Sequence, residues 1–273
     1  MRLATRLGHE RLLELERRGR VDSRVGALLR PLHWWLRRGS VRITGGLGSG
    51  LRLSLTHLPL SHAHAGALPR GWLEASVQEA FRRHLGEGMV LYDIGANIGF
   101  FALIGARMVA PGGRVYAFEP APDNAAAIRE NAQLNDLANL DVVERALGAH
   151  AGRERLLLVE DLSWSRLESQ GWHPRTAAAL EVEVVTVDEL VRNGELLPPD
   201  VVKLDVEGSE IDVLNGMRET LAGHGPTLVC ELHETNDAFV ELMGELGYRV
   251  KNLESSQPLR EATGNVHAIA EPI

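Results

Sequence analysis

From Met89 onward, apolar runs of strand character alternate with runs of helical period. "MVLYDI", "RVYAFE" and "LDVVER" read as three successive strands, with the helix "GFFALIGARMVA" after the first. The helix after the second opens at Pro122, a residue favoured at a first helical position. Further along, "VVKLD" and "TLVCEL" are strands, each followed by a helix, from Ser209 and over residues 238–246. "GYRVK" and "VHAIA" close the chain with no helix between them, so they are expected to be antiparallel. Strands alternating with helices imply a parallel sheet covered on both faces.

Ahead of this region, residues 1–38 read as an amphipathic helix, and "VRITGGLGSGLRLSL" alternates around a Gly/Ser cluster, which signals a β-hairpin. "SHAHAGALPRG" is a loop, and "WLEASVQEAFRRHLG" is a helix with Val77, Phe81 and Leu85 on one face and Gly86 as its stop. The expected organisation is an extension over 1–70 and an α/β domain over 71–273, with an insertion at 151–190. Two alternating runs in that insertion, "RERLLLVE" and "EVEVVTVDEL", flank an irregular stretch containing Trp164 and Trp172. A long loop of this kind suits a substrate lid.

Composition narrows the class. A chain of 273 residues, 44% hydrophobic, can bury a full core. Its single cysteine, Cys230, excludes an intrachain disulfide framework. No stretch approaches the roughly 20 apolar residues of a membrane span. The first residues are too charged for the apolar part of a signal peptide, so a cytoplasmic location is expected. Residues 1–40 carry a net +6 while the whole chain carries −8, leaving −14 on the remainder. Nucleic acid is therefore not an expected partner of the main domain. The basic N-terminal segment is compatible with peripheral contact to an anionic membrane or with a homodimer, and a packing helix with a solvated arginine face is the plainer reading.

The loop "YDIGANIGFF" leaves the first strand and enters a helix, where open parallel sheets bind their ligands. Gly95 and Gly99 remove side chains where a ligand approaches the backbone. A nicotinamide dinucleotide would call for glycine at 95, 97 and 100, but Asn97 and Phe100 stand at two of these positions. Asp93 is awkward beside a pyrophosphate and suitable beside an ammonium group. Glu119 ends the second strand 24 positions after Gly95, where a carboxylate accepts from both ribose hydroxyls. S-adenosylmethionine has an ammonium, a ribose and no phosphate, and it fits this loop better than a dinucleotide does.

"KLDVEGSE" brings Asp205 and Glu207 to the end of the fourth strand, on one side if the strand extends that far. Such a pair can hold an ammonium, orient a hydroxyl or supply a base, and it can equally take a divalent ion with waters. Acids here, Glu210 included, also suit a helix N-terminus. "CELHE" ends the fifth strand and places Glu231 and His233 opposite Asp205, with His233 as a candidate proton acceptor. Lys203 suits an ion pair, Cys230 and Tyr248 suit the core, and the His62/His64 pair lacks the partners of a zinc site. No metal ligand is assigned.

"VLYDIGANIGFF", "VYAFEPAPDN", "VVKLDVEGSEIDVLNGM" and "LVCELHE" together resemble the ordered motifs of FkbM-type methyltransferases, over about two-thirds of the chain. The resemblance implies a doubly wound, mostly parallel seven-stranded α/β sheet of the class I methyltransferase type, with the N-terminal helix and hairpin added to it. It implies S-adenosylmethionine as cofactor and O-methylation of a small-molecule acceptor such as a sugar or natural product. Asp93, Gly95, Asn97, Gly99 and Glu119 would contact the cofactor, together with Asp205. "GWLE" is similar to the family's G-x-x-E and makes Glu74 a wall of the same cleft. Asp205, Glu207 and His233 are the catalytic candidates. A nucleotide-dependent oxidoreductase and a non-catalytic binding module are the alternatives.

Overall fold

The computed structural model describes residues 39–56, 67–159, 165–171 and 176–273. The N-terminal helix, the His62/His64 pair, Trp164 and Trp172 lie outside the described residues. β1 (Ser40–Arg42) and β2 (Arg52–Ser54) form the expected antiparallel hairpin. Ser54 donates its amide to Asn131 Oδ1 at 2.7 Å, and the same side chain donates to the Ile98 carbonyl at 2.9 Å. The hairpin is thereby tied to the loop after the first sheet strand. Residues 40–273 form one unit, and Leu53 of the hairpin shares a core with Phe81 and Leu103. The hairpin thus packs with the α/β domain that follows it.

α1 (Ala75–His84) buries Val77 and Phe81 and ends at Leu85, one residue before the expected stop. The sheet then builds through β3 (Val90–Ile94), α2 (Phe100–Val109), β4 (Arg114–Phe118), α3 (Pro122–Leu134) and β5 (Leu140–Val143). The insertion holds β6 (Ala146–Leu147), β7 (Gly152–Val159), β8 (Arg166–Leu167) and β9 (Thr176–Val185), a separate four-stranded sheet in the order β6-β9-β7-β8. The last four residues of "EVEVVTVDEL" leave the strand for α4 (Val187–Arg192), because Thr186 caps that helix by accepting the Glu189 amide at 3.1 Å. After it come β10 (Val201–Leu204), α5 (Glu210–Asn215), α6 (Arg218–His224), β11 (Thr227–Leu232), α7 (Asn236–Glu245), β12 (Tyr248–Asn252) and β13 (Val266–Pro272).

Seven of these strands form one sheet in the order β12-β13-β11-β10-β3-β4-β5. Strands β11, β10, β3, β4 and β5 are parallel, whereas β13 runs antiparallel to both β11 and β12. Pleating sends alternate residues to opposite faces. Leu91, Val115, Val201 and Val229 pack with α1, α2 and α3 on one face. Tyr92, Phe118, Val202 and Cys230 pack on the other. Cys230 is an inert core thiol whose pKa burial raises, and Tyr248 packs with its hydroxyl donating to the Leu221 carbonyl at 3.2 Å. The same alternation puts Asp93, Lys203 and Glu231 on the α1/α2 side, toward the carboxyl ends of the strands. Among the described residues no helix is long and apolar enough to cross a membrane.

Candidate active site

The order of strands reverses between β3 and β10, and two adjoining cavities of about 770 Å3 and about 90 Å3 open there. Gly95, Asn97, Arg166, Asp205 and Glu207 line both. Gly95 has φ +79°, and a Cβ on it would overlap the Asp205 carbonyl, so glycine is required both by conformation and by close approach. Gly99 has φ +86° and caps α2 against Ile128, and it lines neither cavity. That position shapes the loop at the start of α2.

Glu119 lies in the smaller cavity, only 6% exposed. Asn97 donates its amide to Oε2 and Ala121 donates its amide to Oε1, each at 2.9 Å. Burial nonetheless pushes this carboxyl up to about 7, with the amides of Ala121 and Asn97 opposing the shift. Asp93 is 0% exposed, and neither of its oxygens has a hydrogen-bond partner among the described residues. Burial pushes it up to about 6, against the pull of the Lys203 ammonium. It is not among the residues that line the two cavities.

Lys203 faces Asp93 across the β3–β10 register and donates to Asp205 Oδ2 at 3.0 Å, with its ammonium 5.1 Å from the centre of the Phe101 ring. Burial alone would lower its pKa, but Asp205, Glu74 and Asp93 outweigh burial and hold it above the ordinary value. It is the ion-paired cation the sequence suggests, not a free base. Strand β10 stops at Leu204, so strand alternation does not carry Asp205 and Glu207 to one side as expected. They share the cavity because Glu207 takes a left-handed backbone, φ +52°, which turns its side chain back into the cleft. Burial raises Asp205 despite Lys203, and it raises Glu207 to about 7 despite His233.

His233 Nδ1 hydrogen-bonds Glu210 Oε1 at 2.9 Å. Glu210 is fully buried at the start of α5, where it also accepts from the Gly208 amide at 2.8 Å and from Thr235 Oγ1 at 3.1 Å. The other ring nitrogen, Nε2, therefore points into the cleft, 3.5 Å from Glu207, 3.7 Å from Glu231 and 4.0 Å from Asp205. Burial would lower the His233 pKa, but Glu210, Glu207 and Asp205 raise it to about 9. These acids favour the charged form of the imidazole that the sequence offers as a candidate proton acceptor.

The sequence missed His267. It sits opposite Glu231 in the β11–β13 pairing, with Nδ1 2.6 Å from Glu254 and Nε2 3.5 Å from Glu74 and 3.6 Å from Glu231. Burial would lower it, but Glu231, Glu74 and Glu254 raise it to about 11. Glu231 in turn, which burial would raise, is held at about 2 by His267 and His233. The available signal was the second position of "VHAIA", usable only once β13 is placed beside β11. Glu74, with φ +43°, does line the cleft as expected, and its Oε2 is buried without a hydrogen-bond partner. The insertion reaches the site through Arg166 and Gln170.

A glycine turn at the switch point, a buried ribose-type carboxylate and an acid-rich pocket beside it define a Rossmann-like, nucleoside-cofactor transferase. A family model described as the methyltransferase FkbM domain matches residues 93–250, more than half of the chain. The chain belongs to this family and is an S-adenosylmethionine-dependent methyltransferase. The 31-O-demethyl-FK506 methyltransferase FkbM of Streptomyces tacrolimicus is 28% identical over 246 residues, covering 77% of this chain and 92% of that relative. The hexuronic acid methyltransferase AglP of Haloferax volcanii is 35% identical over 150 residues, 54% of this chain and 57% of that relative. Among solved structures, the FkbM methyltransferase of Methylobacillus flagellatus KT aligns with TM-score 0.48 at 18% identity, over 68% of this chain and 44% of that one.

The described residues fit the cofactor. The turn at Gly95 leaves room only for bare backbone, Glu119 offers lone pairs to a ribose diol, and Glu74 Oε2, 3.5 Å from His267 Nε2, adds a carboxylate to the cleft that suits a cationic amine.

Proposed function

We propose that this methyltransferase acts on a hydroxyl oxygen of a small polar acceptor, a sugar or hydroxylated natural product. The observation that carries the reading is the meeting of Asp205, Glu207 and His233 on the larger cavity, directly beside the pocket of Glu119. The substrates in the names of the two relatives, a hydroxyl of a macrolide and a hexuronic acid, are of this kind.

S-adenosylmethionine supplies a methyl group on a positively charged sulfur. Glu119 and the Asn97 backbone fix the nucleoside end, while Gly95 lets it lie against the loop. Asp205 stays bound to Lys203 and is less free to accept a proton. Glu207 lines both cavities and is placed to take the proton of an acceptor hydroxyl. Alignment of the reacting groups supplies much of the acceleration, and a base in reach adds roughly 10²–10⁴-fold. His233, charged and anchored by Glu210, orients Glu207 and Asp205. Homodimerisation and contact of the basic N-terminus with a membrane remain part of the proposal for residues outside the description.

The test is methyl transfer from labelled S-adenosylmethionine to a panel of uronic acids, neutral sugars and hydroxylated macrolides, with amines as controls. O-methylated product is expected, and E207Q should lose roughly 10²–10⁴-fold in kcat. Turnover of amines alone would overturn the oxygen assignment.

A further inference from the structure

Two sets of three side chains in the cleft have ligand atoms all within 4.8 Å of one another: Asp205, Glu231 and His233, and Glu74, Glu231 and His267. The first set opens on the larger cavity with all three members. Its histidine has the geometry of a metal ligand. Nδ1 is fixed by Glu210, itself 0% exposed and tied to Gly208 and Thr235, and this leaves Nε2 directed at the acids. Metal-bound histidines ordinarily carry such an outer carboxylate, which sets the tautomer and the ring orientation.

The spacing supports the same conclusion. Nε2 lies 3.7 Å from Glu231 and 4.0 Å from Asp205, too long for good hydrogen bonds. Ligand atoms each about 2.1 Å from a shared ion stand about 3–4 Å apart. Glu231 divides its oxygens, Oε1 toward His233 and Oε2 toward His267, and Oε1 also accepts from Asn265 Nδ2 at 3.2 Å, which holds it at the first set. Charge argues likewise. Among the described residues, Glu74, Asp205, Glu207, Glu231 and Glu234 line the cavity against the cations Arg166 and Lys203 and the imidazole of His233, so acids are in excess there.

We propose that Asp205, Glu231 and His233 bind a divalent cation of the Mn2+ or Mg2+ kind, with Glu210 as a positioning residue. Two carboxylates and one imidazole suit a hard or borderline ion that prefers oxygen. Three protein ligands leave positions open to the cavity, where an acceptor with two neighbouring oxygens, a vicinal diol or hydroxy acid, can chelate. This role in holding the acceptor rests on the O-methylation reading, whereas the binding of the ion does not.

The test uses the full chain, treated with chelator and titrated with Mn2+ alone, free ion being followed by electron paramagnetic resonance. Saturable binding is expected, weakened at least tenfold in D205N and H233A and about 10- to 100-fold in E210Q. S-adenosylhomocysteine is titrated in parallel as a check on folding. Wild-type protein that binds S-adenosylhomocysteine but shows no saturable Mn2+ binding overturns the metal site and leaves the methyltransferase reading intact. Mn2+ binding that survives D205N and H233A but disappears in H267A overturns the assignment in favour of the second set. Mn2+ binding without any O-methylated product would instead count against the proposed acceptor chemistry and not against the site.

Discussion

Glu119→Gln isolates the ribose-binding carboxylate while keeping its size. Its two oxygens accept the amides of Asn97 and Ala121, each at 2.9 Å, so a carboxamide satisfies one donor and opposes the other. An unmade buried hydrogen bond costs about 1–3 kcal/mol. Against this, burial has raised the carboxyl from 4.5 to about 7. Removing a charge the fold resists to that degree relieves about 3 kcal/mol at pH 8. The two effects nearly cancel, so the variant folds and its binding defect reports on the site itself.

A carboxylate that accepts both ribose hydroxyls makes two charge-assisted bonds, each of about 1.5–3 kcal/mol, and a carboxamide keeps one. Calorimetric titration of E119Q with S-adenosylhomocysteine should therefore show affinity weakened by about 10- to 150-fold. pH adds a second signature. A group titrating near 7 is about one-tenth ionised at pH 6 and about nine-tenths at pH 8, so wild-type affinity should tighten by up to about tenfold between them. E119Q should lose this part of the slope. Affinity within threefold of wild type, with the pH slope unchanged, would refute the placement of the ribose at Glu119.

K203M removes the cation between Asp93 and Asp205 and leaves two buried acids without it. Urea unfolding should show a loss of about 3–5 kcal/mol. A stability change below 1 kcal/mol would mean that the pair contributes little to the fold. The pH dependence of the ligand-free protein follows from Asp93 and Glu119, whose folded values are raised by burial to about 6 and about 7 from 3.8 and 4.5. Their contribution is complete below about pH 4 and is lost as pH rises to about 7, amounting to about 3 kcal/mol for each group. Glu207, raised to about 7, and His233, raised to about 9, add to the decline, so unfolding at pH 5 and pH 8 should show it and E119Q should remove only the share of Glu119.

The parallel strands and their helices were legible because each strand is a continuous apolar run, as a sheet buried on both faces demands. Gly95 and Glu119 were legible for a different reason: each occupies a strand end, where position in the sequence is position at the crevice. His267 was hidden because its place depends on β13 entering antiparallel between β11 and β12, a long-range pairing that no local period encodes. The electrostatic environment of His233 was hidden for the same reason. A histidine at a strand end reads as a base, whereas the fold surrounds it with Glu210, Glu207 and Asp205 from another segment, residues 205–210. Glu207 was placed correctly on a wrong premise, since a left-handed turn and not an extended strand brings it to the cleft.

The register also separates what must be fixed from what can vary. Lys203 and Asp93 are locked opposite each other, as are Glu231 and His267, by strand pairings shared with the core. A one-residue slip would send every one of them to the opposite face. The charge pattern is therefore as rigid as the sheet. Arg166 belongs to a separate small sheet and Gln170 to the short 3-10 turn after it, and Gln170 donates a hydrogen bond to Asp212 at 2.9 Å. Length and sequence can change in that insertion without disturbing the sheet register. On the proposed function, cofactor and proton handling lie at the ends of the sheet strands, and exchange of residues 168–171, whose Gln170 lines only the larger cavity, should alter the acceptor accepted while leaving S-adenosylhomocysteine affinity within a few-fold of its original value.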